Sequence, residues 1–288
     1  MEWMKNLEGV IDYIEHNLDK EISFSEAARI ACCSSCYFQR IFSYVFGISL
    51  SEYIRRRKMT QAAYDLQRTN NKVIDIALKY GYSSPTSFHR AFQNVHGITP
   101  TAARTMGSIL QAYPPIQFKI EITGKNSMTY RIIKKSSFYI AGMRIPITEN
   151  MEENFKIVPD FWKSALQENQ FAKLYRLAEQ EPDKILGISL YKNPKEIYYY
   201  IGVAVNASIP AGMHSCKIPA ATWVIFENNG CFKENVQNVF KRFFMEWLPL
   251  SGYKYAEFPD IEVYPICDSL SMCGHSEVWI GIKNEKEY

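Results

Sequence analysis

Two groups of side chains in the first hundred residues have the chemistry needed to contact DNA bases. Arginine pairs bidentately with guanine, glutamine pairs with adenine, and threonine or cysteine packs against a thymine methyl group. Neither group contains an acidic residue, whereas an ordinary solvated helix face is usually rich in them. The groups are Ser35, Cys36, Gln39 and Arg40 in the first, and Pro85, Thr86, His89 and Arg90 in the second. We predict that these residues face the major groove of double-stranded DNA.

A second set of residues combines aromatic rings with a carboxylate. Successive side chains of a strand point to opposite faces. The faces opposite the aliphatic residues that should pack on helices carry Ser189, Tyr191, Glu262, Tyr264, His275, Glu277 and Trp279. Aromatic faces around an acid suit a flat, apolar cation. A solvated sheet surface remains the alternative for any single strand. The predicted ligand-binding residues are Glu277, Trp279, Tyr264, Trp223, Tyr191 and Tyr200.

Other kinds of site find little support in the sequence. Cys32, Cys33 and Cys36 lie around one turn, but no second C-x-x-C pair or nearby histidine supplies the remaining ligands of a zinc site. No Walker, Rossmann or G-x-S-x-G pattern is present. We therefore expect no metal, no cofactor and no catalytic residue.

The first group of residues belongs to an internal repeat. Phe38 and Phe88 are separated by 50 positions, and several other residues match at the same offset. The matching pairs include Ser34 and Ser84, Arg40 and Arg90, Phe42 and Phe92, and Gly47 and Gly97. In each copy a short helix leads through a turn into a second helix with an apolar stripe, which is typical of a helix-turn-helix unit. A packing duplication with solvated arginines is the alternative.

The helix between the two copies is predicted to act as a rigid spacer. Ser23 with Glu26, and Ser49 with Glu52, form capping boxes that mark helix starts. A helix over 49–68 would span roughly 30 Å, close to one DNA turn of roughly 34 Å. Its basic run, residues 55–58, offers candidate phosphate contacts, although such a run is more often solvated.

The second part of the chain has a different pattern, which reads as strand, strand, helix, strand, strand, occurring twice. Predicted helices lie near 153–170 and 233–247. The fold class is therefore a multidomain chain: an all-α double helix-turn-helix domain followed by an α+β domain with a duplicated β-β-α-β-β unit. We expect a DNA-binding domain over 1–107, a linker over 108–127 and a small-molecule-binding domain over 128–288.

Composition is that of a globular protein, with 47% hydrophobic and 22% charged residues. The net charge is +3, and the first 107 residues carry 13 Lys and Arg against 10 Asp and Glu, a mild basic bias. The absence of a signal peptide or an apolar membrane span predicts a cytoplasmic protein with free thiols.

The first part resembles the AraC/XylS family of regulators. The resemblance rests on Gly81-Tyr82-Ser83-Ser84, Phe88, Arg90, Phe92, Gly97 and Pro100, and on Phe38-Gln39-Arg40 with Phe42. It implies a DNA-binding transcription regulator, most simply an activator that contacts RNA polymerase. The first turn has Ala31-Cys32 where many family members have glycine, so a different backbone is expected there.

The second part is similar to the GyrI-like effector-binding family. The similarity rests on residues 218–220 before Trp223, on 258–265, and on Glu277-Val278-Trp279-Ile280. It implies a pocket in which Glu277 faces a small, aromatic and cationic effector. The alternative is a small-molecule hydrolase in which Glu277, with Tyr264, acts as general base.

Overall fold

The computed structural model of the chain describes residues 2–117, 127–148, 150–193, 196–206, 209, 211–265 and 273–284. Residues 118–126 of the predicted linker lie outside the described residues. The chain divides into two compact units. The helical unit comprises Met1–Phe38 and Ile48–Glu121, and the sheet unit comprises Gln39–Gly47 and Ile122–Tyr288. None of the helices within the described ranges is long and apolar enough to cross a bilayer.

Six α-helices and a short 3-10 turn account for the first part of the chain. They are α1 (Glu2–Glu15), α2 (Phe24–Ile30), α3 (Ser35–Phe46), α4 (Leu50–Arg68), α5 (Val73–Lys79), α6 (Pro85–His96) and the 3-10 turn Ala102–Arg104. Both predicted caps are present, because the hydroxyls of Ser23 and Ser49 accept from the backbone N–H groups of Glu26 and Glu52 at 3.2 and 3.1 Å. The predicted spacer is therefore the helix α4.

The turns of the two helix-turn-helix units begin alike, although the first has four residues, 31–34, and the second has five, 80–84. Gly81 follows α5 with φ +83°, and Cys32 takes the equivalent left-handed position after α2 with φ +56°. The N–H of the next residue then bonds five residues back in each copy, from Cys33 to Ala28 and from Tyr82 to Ala77. The expectation of a different backbone is wrong for the start of the first turn, because cysteine adopts the left-handed conformation that glycine adopts in the second. The first turn nevertheless differs in being one residue shorter.

The rest of the chain forms one antiparallel sheet with helices. Its elements are β1 (Tyr130–Lys135), β2 (Phe138–Pro146), α7 (Met151–Gln167), α8 (Gln170–Tyr175), β3 (Ile185–Asn193), β4 (Glu196–Val205), β5 (His214–Ile218), β6 (Ala221–Cys231), α9 (Phe232–Arg242), α10 (Leu248–Ser251), β7 (Tyr253–Tyr255), β8 (Asp260–Tyr264) and β9 (Cys273–Asn284). A π-helical turn, Phe243–Trp247, joins α9 to α10. The duplicated β-β-α-β-β unit is confirmed, and β7 is an addition to it.

The strand order is β1-β6-β9-β8-β3-β4-β2-β5, with β7 paired to β9. Residues directly opposite one another on antiparallel strands share a face of the sheet. Glu262 lies opposite Val278, and Ile261 lies opposite Trp279. The predicted faces are therefore wrong for β9, because its register puts Trp279 on the aliphatic face of β8 and not with Glu262.

Each face of this sheet has its own packing. On the face of Ile261, a continuous buried core includes Trp223, Tyr200 and Trp279. The other face, which carries Glu262, borders a cavity. This division decides which of the predicted ligand-binding residues can meet a small molecule.

Candidate DNA-recognition helices and effector cavity

The second recognition helix, α6, presents its predicted base contacts to solvent. Pro85, Thr86, His89 and Arg90 are all exposed. Phe88, on the opposite side of the helix, is fully buried in the core of this helix-turn-helix unit together with residues of α4 and α5. Proline at the first position gives α6 a fixed start. The helix is therefore held by one face and offers the other to a partner.

The first recognition helix, α3, differs. Ser35 and Cys36 are partly exposed, but Gln39 is 6% and Arg40 only 1% exposed. The expectation that all four residues face outward is wrong for Gln39 and Arg40. The reason is that Gln39–Gly47, the last part of α3 and the glycine after it, belong to the sheet unit.

Arg40 is held by an acid at the start of β8. Its Nη2 lies 2.5 Å from Asp260 Oδ2, and the same nitrogen donates to the Tyr255 hydroxyl. Its guanidinium carbon lies 5.0 Å from the ring centroid of Tyr191. Burial alone would lower the pKa of Arg40, but the charge of Asp260 and the neighbouring tyrosines Tyr255, Tyr44 and Tyr191 together outweigh burial and raise it. Burial raises the pKa of Asp260 to about 6, although Arg40 and Tyr255 act in the opposite direction.

The basic run of α4 is engaged within the protein. Arg55 and Arg56 pair with Glu52, and Arg57, 4% exposed, pairs with Glu15 at 2.7 Å. The ammonium group of Lys58 donates to the carbonyl oxygens of residues 20 and 80. Arg57 and Lys58 are thus structural, and the expectation that they contact phosphates is wrong for this conformation.

A cavity of about 200 Å³ borders the Glu262 face of the sheet. Helices α7, α8 and α9 provide apolar walls, and β3, β4 and β8 provide a more polar floor. The walls include Phe155, Trp162, Phe171 and Phe232 of these helices and Tyr44 of α3, and the floor includes Ser189, Tyr191, Tyr199, Glu262 and Tyr264. The cavity therefore joins aromatic rings to one carboxylate.

Glu262 is fixed by two tyrosines. The hydroxyls of Tyr264 and Tyr199 donate to its Oε2 at 2.7 and 3.0 Å, and Trp162 Nε1 donates to the Tyr199 hydroxyl at 3.0 Å. No described residue donates to the other oxygen, Oε1. Burial raises the pKa of Glu262, and the two tyrosine hydrogen bonds offset this only in part. The acid is thus costly to ionise and retains an acceptor for a ligand.

The sequence makes room for this network at one position. A Cβ atom at residue 187 would lie 2.3 Å from the Tyr199 hydroxyl oxygen, 3.0 Å from Glu262 Oε2 and 3.1 Å from the Trp162 ring. Gly187 on β3 therefore permits the close approach of these three side chains.

Only part of the predicted ligand set meets the cavity. Tyr191 and Tyr264 line it. Glu277, Trp279, Trp223 and Tyr200 do not, because the register places them with the opposite core. Glu277 accepts from Trp279 Nε1 at 2.8 Å and from Arg131 at 2.9 Å. Burial alone would raise the pKa of Glu277, but these two partners outweigh it and lower the pKa. Its charge is therefore already compensated.

Strand alternation places Glu262 with Tyr264 on the predicted ligand face, but the prediction assigns the acid of the site to Glu277. The structure corrects this choice, because Glu262 lines the cavity and Glu277 does not. Tyr199 and Trp162 could not be found in this way, because their contacts with Glu262 join separate elements.

Comparison with known proteins identifies both parts of the chain. Residues 131–282 match the family Cass2, described as integron-associated effector binding protein. Residues 27–106 match a family described as a helix-turn-helix domain. These ranges contain Glu262 and the recognition helices, respectively.

Among relatives, the transposon Tn10 TetD protein of Escherichia coli is 40% identical over 98 residues, which are 34% of this chain and 71% of that protein. The HTH-type transcriptional activator AarP of Providencia stuartii is 41% identical over 95 residues, 33% of this chain and 70% of that protein. The structure of SAV2435 bound to tetraphenylphosphonium covers 54% of this chain and 94% of its own, at 20% identity and a TM-score of 0.46. The chain belongs to the AraC-type DNA-binding transcription regulators and carries an effector-binding domain of the Cass2 family.

Proposed function

We propose that this regulator reads DNA with α3 and α6 and responds to an aromatic cation bound in the cavity of the sheet unit. The observation that supports the effector most strongly is Glu262, a half-buried carboxylate on the floor of a cavity whose walls are mainly apolar and aromatic. We further propose that 1–107 act as the DNA-binding domain and 128–288 as the effector-binding domain.

The exposed face of α6 supports base recognition. Arg90, His89 and Thr86 carry donors or methyl groups that match base edges in the major groove, and none of them is buried. Since α4 has 19 residues, it spans about 28 Å, which supports the placement of α3 and α6 in successive grooves.

Cavity size and chemistry support an effector with one or two rings. A dry cavity of about 150 Å³ accommodates benzene, and this one is slightly larger. An ionised carboxylate without a partner is costly in an apolar site, so a cation near Glu262 removes that cost. Rings such as Tyr191 and Trp162 add about 0.5 to 2 kcal/mol each when a cation faces them.

We propose binding without turnover, and activation through contact with RNA polymerase. AarP, the relative described as an activator, supports the sign of regulation. Incubating the chain with styrene oxide tests for hydrolysis. Turnover that disappears in Glu262→Gln would replace the binding role with an enzymatic one.

One experiment tests DNA binding and effector response together. The full chain selects duplexes from a random pool, with and without phenyltrimethylammonium, a small aromatic cation. We expect an enriched sequence motif and tighter binding with the cation present. No enrichment under either condition would contradict the proposed function.

A further inference from the structure

The C-terminal part of α3 closes one side of the cavity. Tyr44 lines the cavity and stacks on Phe240 of α9, with ring centroids 4.3 Å apart and ring planes at 8°. Arg40 lies one helical turn before Tyr44 and pairs with Asp260. The segment that carries a predicted base contact is therefore also part of the cavity wall.

Arg40 and a ligand in the cavity would share the same surroundings. Asp260, the partner of Arg40, stands two residues before Glu262 on β8, and side chains at this spacing share a face. The Tyr191 ring meets the Arg40 guanidinium and also lines the cavity. A cation beside Glu262 would therefore weaken the attraction of this acidic surface for Arg40, and would repel Arg40 directly.

We propose that Arg40 and Asp260 form an autoinhibitory latch that an aromatic cation in the cavity opens. In the latched state Arg40 is out of reach of DNA, so α6 offers its full set of base contacts and α3 offers only Ser35 and Cys36. In the open state residues 39–47 leave the sheet unit and Arg40 becomes a second base contact. This inference rests on the proposed function, since it takes Arg40 as a DNA contact and the cavity as a cation site.

If the latch exists, the DNA affinity of the unmodified chain should be reduced by a predictable factor. A protein whose competent form is only 1 to 10% populated loses about 10- to 100-fold in apparent affinity, and phenyltrimethylammonium should recover part of that loss. By thermodynamic reciprocity, DNA should raise the affinity for the cation by the same factor.

The test uses variants of the full chain. Asp260→Asn keeps the side-chain shape and removes the charge that holds Arg40, and Tyr44→Ala removes the stack on α9 as a second route to release. Asp160→Asn, an exposed acid on α7, is the matched control for losing one negative charge. Amide hydrogen exchange over 39–47 reports release. Fluorescence anisotropy, on duplexes selected by Asp260→Asn, reports DNA affinity.

We expect both latch variants to speed exchange over 39–47 and to bind DNA at least about 10-fold more tightly than Asp160→Asn without the cation. Phenyltrimethylammonium should do the same to the unmodified chain and little to Asp260→Asn. A folded Asp260→Asn, together with Tyr44→Ala, showing unchanged exchange would overturn the latch.

Two other outcomes separate the latch from the proposed function. Faster exchange without tighter DNA binding overturns the latch, because Arg40 then contributes nothing to DNA recognition. If Arg90→Ala still weakens specific binding by about 5- to 150-fold in that case, DNA recognition by α6 survives. If no chain, latch variants included, prefers any duplex, the proposed function fails first.

Discussion

The two recognition helices share their buried sides and differ in their outer sides. Phe38 of α3 and Phe88 of α6 are both fully buried, and both helices are followed by a left-handed glycine, Gly47 with φ +71° and Gly97 with φ +75°. On the outer side, α6 is exposed over its predicted base contacts, whereas α3 buries two of its four.

This difference shows that a helix can have the sequence and packing of a recognition helix while its outer side chains are buried within the same chain. No acid among the described residues pairs with Arg90, while Arg40 lies against Asp260, 4% exposed. Local sequence determines the helix, and the proposed latch makes Asp260, more than two hundred positions away, decide whether Arg40 can reach DNA.

The largest expected effect is a loss of stability, and it concerns the buried sides that the two helices share. Replacing Phe38 or Phe88 with alanine removes a fully buried ring, and each change should lower the free energy of unfolding by about 3 to 5 kcal/mol. Urea denaturation of the full chain measures both. A loss below about 1 kcal/mol at either position would show that the two units are not packed alike.

The next effect concerns the acid beside the latch. Glu262→Gln should weaken binding of phenyltrimethylammonium by about 1.5 to 3 kcal/mol, roughly 10- to 150-fold, since a charged partner is lost. Binding of tert-butylbenzene, its neutral isostere, should change little. Calorimetric titration compares the two ligands, and Glu277→Gln serves as the control because its charge is paired outside the cavity. Equal losses for both ligands would make Glu262 structural.

The affinity for the cation should depend on pH in a defined direction. Burial raises the pKa of Glu262 and a bound cation lowers it, so affinity for phenyltrimethylammonium is full above the raised pKa and falls as the pH falls through it. The loss should begin above the ordinary glutamate value of 4.5. Tyr199, Tyr264, Asp260 and Arg40 surround this carboxylate, and Glu262→Gln should flatten the profile. A profile that stays sloped in Glu262→Gln assigns the dependence to another group.

A smaller effect addresses the outer side of α6. Arg90→Ala should weaken specific DNA binding by about 1 to 3 kcal/mol, or about 5- to 150-fold. Without cation, Arg40→Ala should cost less, because Arg40 is latched and its loss also frees α3. The two substitutions should become comparable in the Asp260→Asn background. Equal costs without cation in the unmodified background would contradict the difference between the helices.

Much of this architecture could be predicted from local sequence. The capping serines, the repeat at 50 positions and the strand alternation can all be read from the chain without knowing which distant residues meet. They predict the helices and the duplicated sheet unit, and the structure confirms both. The faces of β9 could not be predicted, because the pairing of Glu262 with Val278 is a register between strands. The burial of Arg40 could not be predicted either, since Asp260 is distant in sequence.

A footprint on DNA tests the central claim most directly. Hydroxyl radicals cleave the DNA backbone, so bound protein should protect the backbone positions that flank each occupied major groove. On its selected duplex, the unmodified chain should protect the flanks of one major groove without phenyltrimethylammonium and of two successive major grooves with it. Two grooves protected equally in both conditions would contradict the claim that α3 is withheld from DNA until the cavity is filled.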